Sequence, residues 1–197
     1  MKKNLLLILL MATIISACGE AGIQSDISQA VETDPVTVTI DVPAQFVGQF
    51  IDVAPNPVTV RTEEINITSD EFDEYSGDEL KRFTINKIWY KIEDFDQGNE
   101  ADLDVTLNII SGGSSTELLE TTIVNAHLKT EDVLLFDKAA PGDVNPAAIS
   151  VIESSLLNGT SFVIEMVLTG KNMTFQSTSD TFDFRFKFDV TARVQLD

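Results

Sequence analysis

The sequence predicts an all-β domain, an antiparallel β-sandwich of about seven to nine strands with one short helix, and three observations carry that prediction. From Phe182 to Leu196 every second residue is apolar, while Asp183, Arg185, Lys187, Asp189, Thr191, Arg193 and Gln195 between them are all polar. Side chains of a strand point to opposite faces in turn, so an extended chain sorts this alternation onto two faces and a helix does not. Shorter runs of the same alternation recur upstream between polar, Gly- and Pro-bearing turns. Only one stretch, 146–157, carries helical spacing. A closed β-barrel is the alternative that alternation leaves open.

Run straight, the 182–197 segment would span roughly 50 Å at ~3.3 Å per residue, against ~17–20 Å for a usual strand. A bend or bulge is therefore expected near Val190, where the strand would pass from one sheet to another. Upstream, Val36, Val38, Ile40 and Val42 alternate with Thr37, Thr39 and Asp41 between Pro35 and Pro43, as suits an edge or first strand. The 45–53 stretch is a poorer strand with mixed faces. Val58, Val60 and Thr62 restart the alternation, which Ile65 and Ile67 extend. Residues 69–79 are acidic and read as a solvated loop.

Ile88, Tyr90 and Ile92 give one face of a strand over 82–92, and Leu103, Val105, Leu107 and Ile109 give the face of its partner. Residues 93–102 connect the two. A further strand is expected over 118–128, with a blurred period. Asn145 reads as an N-cap with Pro146 at the first helical position, Ile149, Ile152 and Leu156 follow on one face, and Gly159 closes the helix. That helix should cover an open end or flank of the sheets. Phe162, Ile164, Met166 and Leu168 mark a central strand, because Val163 and Val167 make its other face apolar too. Residues 171–180 read as a polar connection.

The N-terminus carries a different signal. Lys2 and Lys3 precede an apolar run over 5–15 that is too short to cross a bilayer core of ~30 Å, and Ile15-Ser16-Ala17-Cys18 follows. These first eighteen residues resemble a bacterial lipoprotein precursor, whose lipobox has an aliphatic residue, two small residues and a cysteine. The resemblance implies cleavage before Cys18, a diacylglyceryl thioether on its sulfur and acylation of its new amino group. Two or more acyl chains give stable anchoring. The chain thus divides into a signal peptide over 1–17, the lipidated Cys18 and a flexible tether over 18–34, and one β-rich domain over 35–197. The partner that follows is a membrane, reached through Cys18. The expected place is the bacterial envelope, at the outer rather than the inner membrane, with the domain periplasmic or surface-exposed.

Composition excludes several chemistries. Cys18 is the only cysteine in 197 residues, so no internal disulfide, thiol nucleophile or cysteine metal cluster is available. The formal charge of −19 repels nucleic acid and anionic headgroups, which removes nucleic acid as a partner. Residues 19–80 hold fourteen acids against one base, Arg61.

Three sets of residues bear on chemistry. His127 is the only histidine, and no Gly-x-Ser-x-Gly elbow accompanies it, so the expectation for catalytic residues is none. The 93–102 connection offers Asp94, Asp96, Glu100 and Asp102 as hard oxygen ligands for Ca²⁺, around Gly98, although it departs from the EF-hand spacing. Calcium is the one cofactor with ligands in plenty, against the plainer expectation of a solvated loop and no cofactor. Trp89 falls out of phase with Ile88, Tyr90 and Ile92, so it should face outward between Lys87 and Lys91 as a binding surface for a sugar or an anionic partner, and a glycan or a protein is the partner expected there. The function expected is a lipid-anchored, non-enzymatic binding or structural module. The alternative is a carrier of an apolar ligand in a Phe-lined interior, and a carboxylate-based hydrolase stands third.

Overall fold

The computed structural model describes residues 23–54, 56–66 and 79–196. Ten strands and one α-helix make up the described residues: β1 (Ile23–Glu32), β2 (Val36–Asp41), β3 (Phe50–Val53), β4 (Val58–Arg61), β5 (Leu80–Glu93), β6 (Glu100–Ser111), β7 (Ser114–Ile123), β8 (Val133–Asp137), α1 (Pro146–Leu157), β9 (Val163–Thr174) and β10 (Ser179–Leu196). Two antiparallel sheets result. The first runs β1-β10-β5-β8, with β2 also on β10, and the second runs β3-β9-β6-β7, with β4 also on β9.

The sandwich forms around the Phe strand as its pattern requires. Phe182, Phe184, Phe186, Phe188, Val190, Ala192 and Val194 are all at most 2% exposed. The sheets stay separate, so the barrel alternative is overturned: β8 and the β1/β2 pair edge one sheet, β7 and the β3/β4 pair the other. Apart from the β6–β7 hairpin, each connection from β4 onward crosses between the sheets, and this order is that of a jelly roll.

The irregularity expected near Val190 is present, but on the partner strand. Register shifts between Asp189 and Val190 because Asn86 of β5 is an extra residue, and its amide donates to Thr191 Oγ1 at 2.8 Å and Asp189 Oδ1 at 3.3 Å. The bulge explains why the buried residues of β5 change phase, from Phe83 and Ile85 to Ile88, Tyr90 and Ile92. β10 does not change sheets. It keeps β5 along one edge and exchanges β2 for β1 along the other, at 179–184 and 187–196 respectively.

Four expectations are corrected. The tether over 18–34 is strand from Ile23 to Glu32, in register with β10 from Leu196 to Lys187. Only Ile27 and Val31 of its described side chains reach the core, too sparse a pattern to read as a strand, and the unpaired edge of β10 supplies the missing drive. The 118–128 strand ends at Ile123, where Asn125 takes a left-handed φ of 52° and a 3₁₀ turn over Ala126–Leu128 begins. The polar connection over 171–180 is β9 as far as Thr174, and 45–49 contributes a 3₁₀ turn rather than a strand. β8 carries no alternation worth reading and emerges only as the partner of β5. Ile67, most of the acidic 69–79 stretch, the signal segment and Cys18 lie outside the described residues.

The helix behaves as its sequence indicates. Asn145 Oδ1 accepts from Ala147 N at 3.0 Å, while Asn145 Nδ2 donates to Glu117 O at 2.8 Å, so the cap also fastens the helix to β7. Ala148, Ile149, Ile152 and Leu156 are buried, and Ser155 Oγ meets Ser111 Oγ at 2.7 Å. α1 thereby closes one end of the sandwich across both sheets.

Candidate functional site: the outer face of the first sheet

Alternation places one residue in two of β5 and β10 on the solvent side, and register then decides which of them meet. Trp89 lies opposite Lys187 of β10 and Leu134 of β8, while Lys91 lies opposite Arg185 and Lys87 opposite Asp189 and Asp137. Trp89 is half-buried. The Nζ atoms of Lys87 and Lys187 stand 5.9 and 5.7 Å from its ring centroid, within cation–π range. The sequence had pointed to Lys87 and Lys91 beside Trp89. Lys187 and Arg185 were missed as neighbours, because nothing in the sequence links positions so far apart.

Each cation on this face has an acid. Lys187 Nζ lies 2.9 Å from Asp132 and 4.0 Å from Glu32, Lys87 Nζ 3.7 Å from Asp137, and Lys91 Nζ 3.1 Å from Glu93, whose other oxygen accepts from Arg185 Nε at 2.6 Å. The hydrogen bond and charge of Asp132 raise the Lys187 pKa. Hydrogen bonds from Lys91 and then Arg185, against some desolvation, hold the Glu93 carboxyl below its ordinary range. The pairs cancel in charge and fix the polar groups around the indole. What remains is a flat aromatic ring, an exposed Leu134 and a ring of ordered donors and acceptors.

The acids of the 93–102 connection are spread over its surface. Asp94, at a left-handed φ of 62°, Asp96 and Glu100 are exposed. Asp102 Oδ1 accepts from Asn125 N and its Oδ2 from Asn172 Nδ2, both at 2.8 Å, and the Asn172 bond chiefly, then Asn125, lowers its pKa. Among the described residues no group of three or more His, Cys, Asp or Glu gathers as a metal ion would need. The loop is instead organised by two buried residues. Asp180 Oδ1 accepts from Asp96 N at 3.2 Å and its Oδ2 from Asn99 Nδ2 at 2.9 Å, while Asn99 Oδ1 accepts from Gln176 N at 2.7 Å. One signal for Asp180 was in the sequence: it falls in phase with Phe182 and Phe184, an acid on the apolar face.

His127 sits on the 3₁₀ turn, its ring edge-on to Phe95 at 6.2 Å, with Nδ1 buried and without a hydrogen-bond partner among the described residues. That is a packing role. The Phe row packs on itself: Phe95 stacks on Phe182 at 4.6 Å, and Phe182, Phe184 and Phe186 follow at 6.0 and 6.4 Å. That packing does not favour the carrier reading, and the groove with the most apolar lining lies outside the Phe row.

Fold and face together define a jelly-roll β-sandwich with a mixed-charge, tryptophan-centred outer surface. Neither a family model nor a curated protein matches the chain. Among solved structures it is similar to that titled Desmodium yellow mottle tymovirus, at 10% identity and a TM-score of 0.38, covering 89% of this chain and 90% of that one. Infectious bursal disease virus, Gx strain, matches at 10% identity and a TM-score of 0.34, covering 88% of this chain and 37% of that one. Israeli acute paralysis virus, as a heated full particle, matches at 10% and 0.34, covering 86% and 75%. At these scores the likeness carries nothing about what the chain binds or assembles into.

Proposed function

We propose that this protein is a lipid-anchored, non-enzymatic binding module of the bacterial envelope, held to the membrane through Cys18, whose outer sheet face engages a neutral glycan. The observation that carries the reading is Trp89 in its frame of paired charges. A pyranose ring offers an apolar face to an indole and hydroxyls at its rim, and Lys87, Lys91, Arg185, Glu93 and Asp137 supply donors and acceptors for those hydroxyls. Because the cations are neutralised by their acids, the face gives no advantage to a charged partner. A tether of acyl chains suits a domain that must stay near a surface, and among the described residues no helix is long and apolar enough to cross a membrane.

Trp89 is the only tryptophan, so its fluorescence reports this face alone. Titration with neutral hexose oligosaccharides should change its emission and protect it from acrylamide, with little dependence on NaCl, and Lys187→Ala should weaken the effect. Unchanged emission and quenching across a panel of such oligosaccharides would sink the glycan reading. The anchor is tested separately: Cys18→Ala should abolish fatty-acid labelling and membrane fractionation, and unaltered labelling would remove the lipidated Cys18.

A further inference from the structure

A second concave site lies where β8 stops. β8 pairs with β5 only from Val133 to Asp137, and the last contact is Lys138 N donating to Asn86 O at 2.8 Å. The chain then turns away through Pro141 to the helix, so β5 over 82–85 has no strand on that side. α1 takes the place instead, and a helix, being thicker than a strand and curved in section, does not fill the corner. A groove of about 320 Å³ remains between β5, the 138–144 turn and α1.

Its chemistry is uneven. Phe136, Val144 and Ile149 form an apolar floor beside the backbone of Ile85, whose side chain is wholly buried, and Arg82 and Lys138 stand at the walls. Neither cation makes a contact ion pair within 4.0 Å among the described residues, although Arg82, opposite Arg193, acts by its charge on Asp26, whereas Lys138 has no acid beside it. The one acid in the groove, Glu153, has Oε1 engaged by Ile85 N at 3.0 Å, which satisfies the open edge of β5. Against the single charge of Glu153, two cations without a contact ion pair leave the groove with a positive balance, and beside an apolar floor they select a molecule with one anionic end and an apolar body. At the ~30 Å³ that a water molecule occupies in the liquid, the groove takes about ten non-hydrogen atoms.

We propose that the groove between α1, β5 and the end of β8 is a binding site for a small amphiphilic carboxylate, its apolar body on Phe136, Val144 and Ile149 and its carboxylate between Arg82 and Lys138. The site is independent of the Trp89 face and of the Cys18 anchor. Octanoate is the probe, with octylamine and 1-octanol as isosteric cationic and neutral controls, all below the concentration at which octanoate self-associates. Amide shifts in ¹H–¹⁵N spectra should centre on Ile85, Phe136 and Ile149, and octanoate should bind at least tenfold more tightly than octylamine. Arg82→Gln/Lys138→Gln, both exposed side chains, should weaken octanoate at least tenfold while leaving 1-octanol and the melting temperature unchanged. Lys129→Gln and Trp89→Ala should leave octanoate binding as it is. Equal binding of octanoate and octylamine, shifts centred elsewhere, or a double variant that binds octanoate as the unaltered protein does would each overturn the assignment.

Discussion

Asp180 is the residue on which the 93–102 loop depends. It is 1% exposed and carries no cation, yet both oxygens are used, by Asp96 N and Asn99 Nδ2. A buried carboxylate survives when its lone pairs are filled, and stripping it leaves two donors without acceptors. Asp180→Ala should therefore destabilise by about 1–3 kcal/mol in urea melts. Asn99→Ala should cost a similar amount, and the double variant less than the sum, because both act in one network. Additive costs would show that the two side chains act independently. The neighbouring face makes a sharper contrast. Phe186, 2% exposed, should not tolerate Asp, at a cost of several kcal/mol, whereas Lys187→Ala should leave the midpoint nearly unchanged because its partners Asp132 and Glu32 are solvated. Equal midpoints for the two would refute the assignment of faces.

At the scale of elements, β1 is the strand whose role differs most from its sequence. It covers β10 from Lys187 to Leu196, including an Asp26–Arg193 pair with bonds of 2.8 and 2.9 Å. Deleting residues 19–32 would bare that edge, and an open edge of a long strand is a template for another chain. The shortened protein should melt lower and elute in size-exclusion chromatography as a larger species; a stable monomer would return β1 to the status of a tether. β6 is held to its neighbours by Asp102, and the dependence on pH follows from its lowered pKa. Above the ordinary carboxylate value of 3.8 the folded form gains from the charged Asp102. That gain is lost as pH falls through the lower folded-state pKa. Asp102→Ala should thus be less stable than the unaltered protein at pH 7, by about 1 kcal/mol, and the gap should close below pH 3.8. A gap independent of pH would assign its effect to packing alone.

For the whole molecule, the jelly-roll order makes nearly every strand pair distant in sequence, β1 with β10 being the extreme. Chain closure must then be paid before pairing rewards it, and refolding followed by Trp89 fluorescence should take milliseconds to seconds or longer. Microsecond refolding would show that local structure leads instead. The same topology decides how the two surfaces arise. Lys187 meets Trp89 because β10 lies beside β5, and the Arg82–Lys138 groove exists because β8 ends before α1 begins.

The alternation from Phe182, the Asn145 cap with Pro146, and the outward phase of Trp89 were legible because each is a property of neighbouring residues, where backbone period and steric preference act directly. The phase slip in β5 was not read from the sequence, although Ile85 and Ile88 stand an odd three residues apart, and the register with β10 is what places the extra residue at Asn86. β1 and β8 were not legible. Their apolar residues are too few or too crowded to show a period, and each becomes a strand because a partner far along the chain offers unsatisfied N–H and C=O groups. The paired charges around Trp89 and the two cations at the groove belong to the same class. By itself the sequence determined which side of each patterned strand meets water; the tertiary structure alone decided which of those outward residues meet one another, because contact across a sheet depends on register and not on separation along the chain.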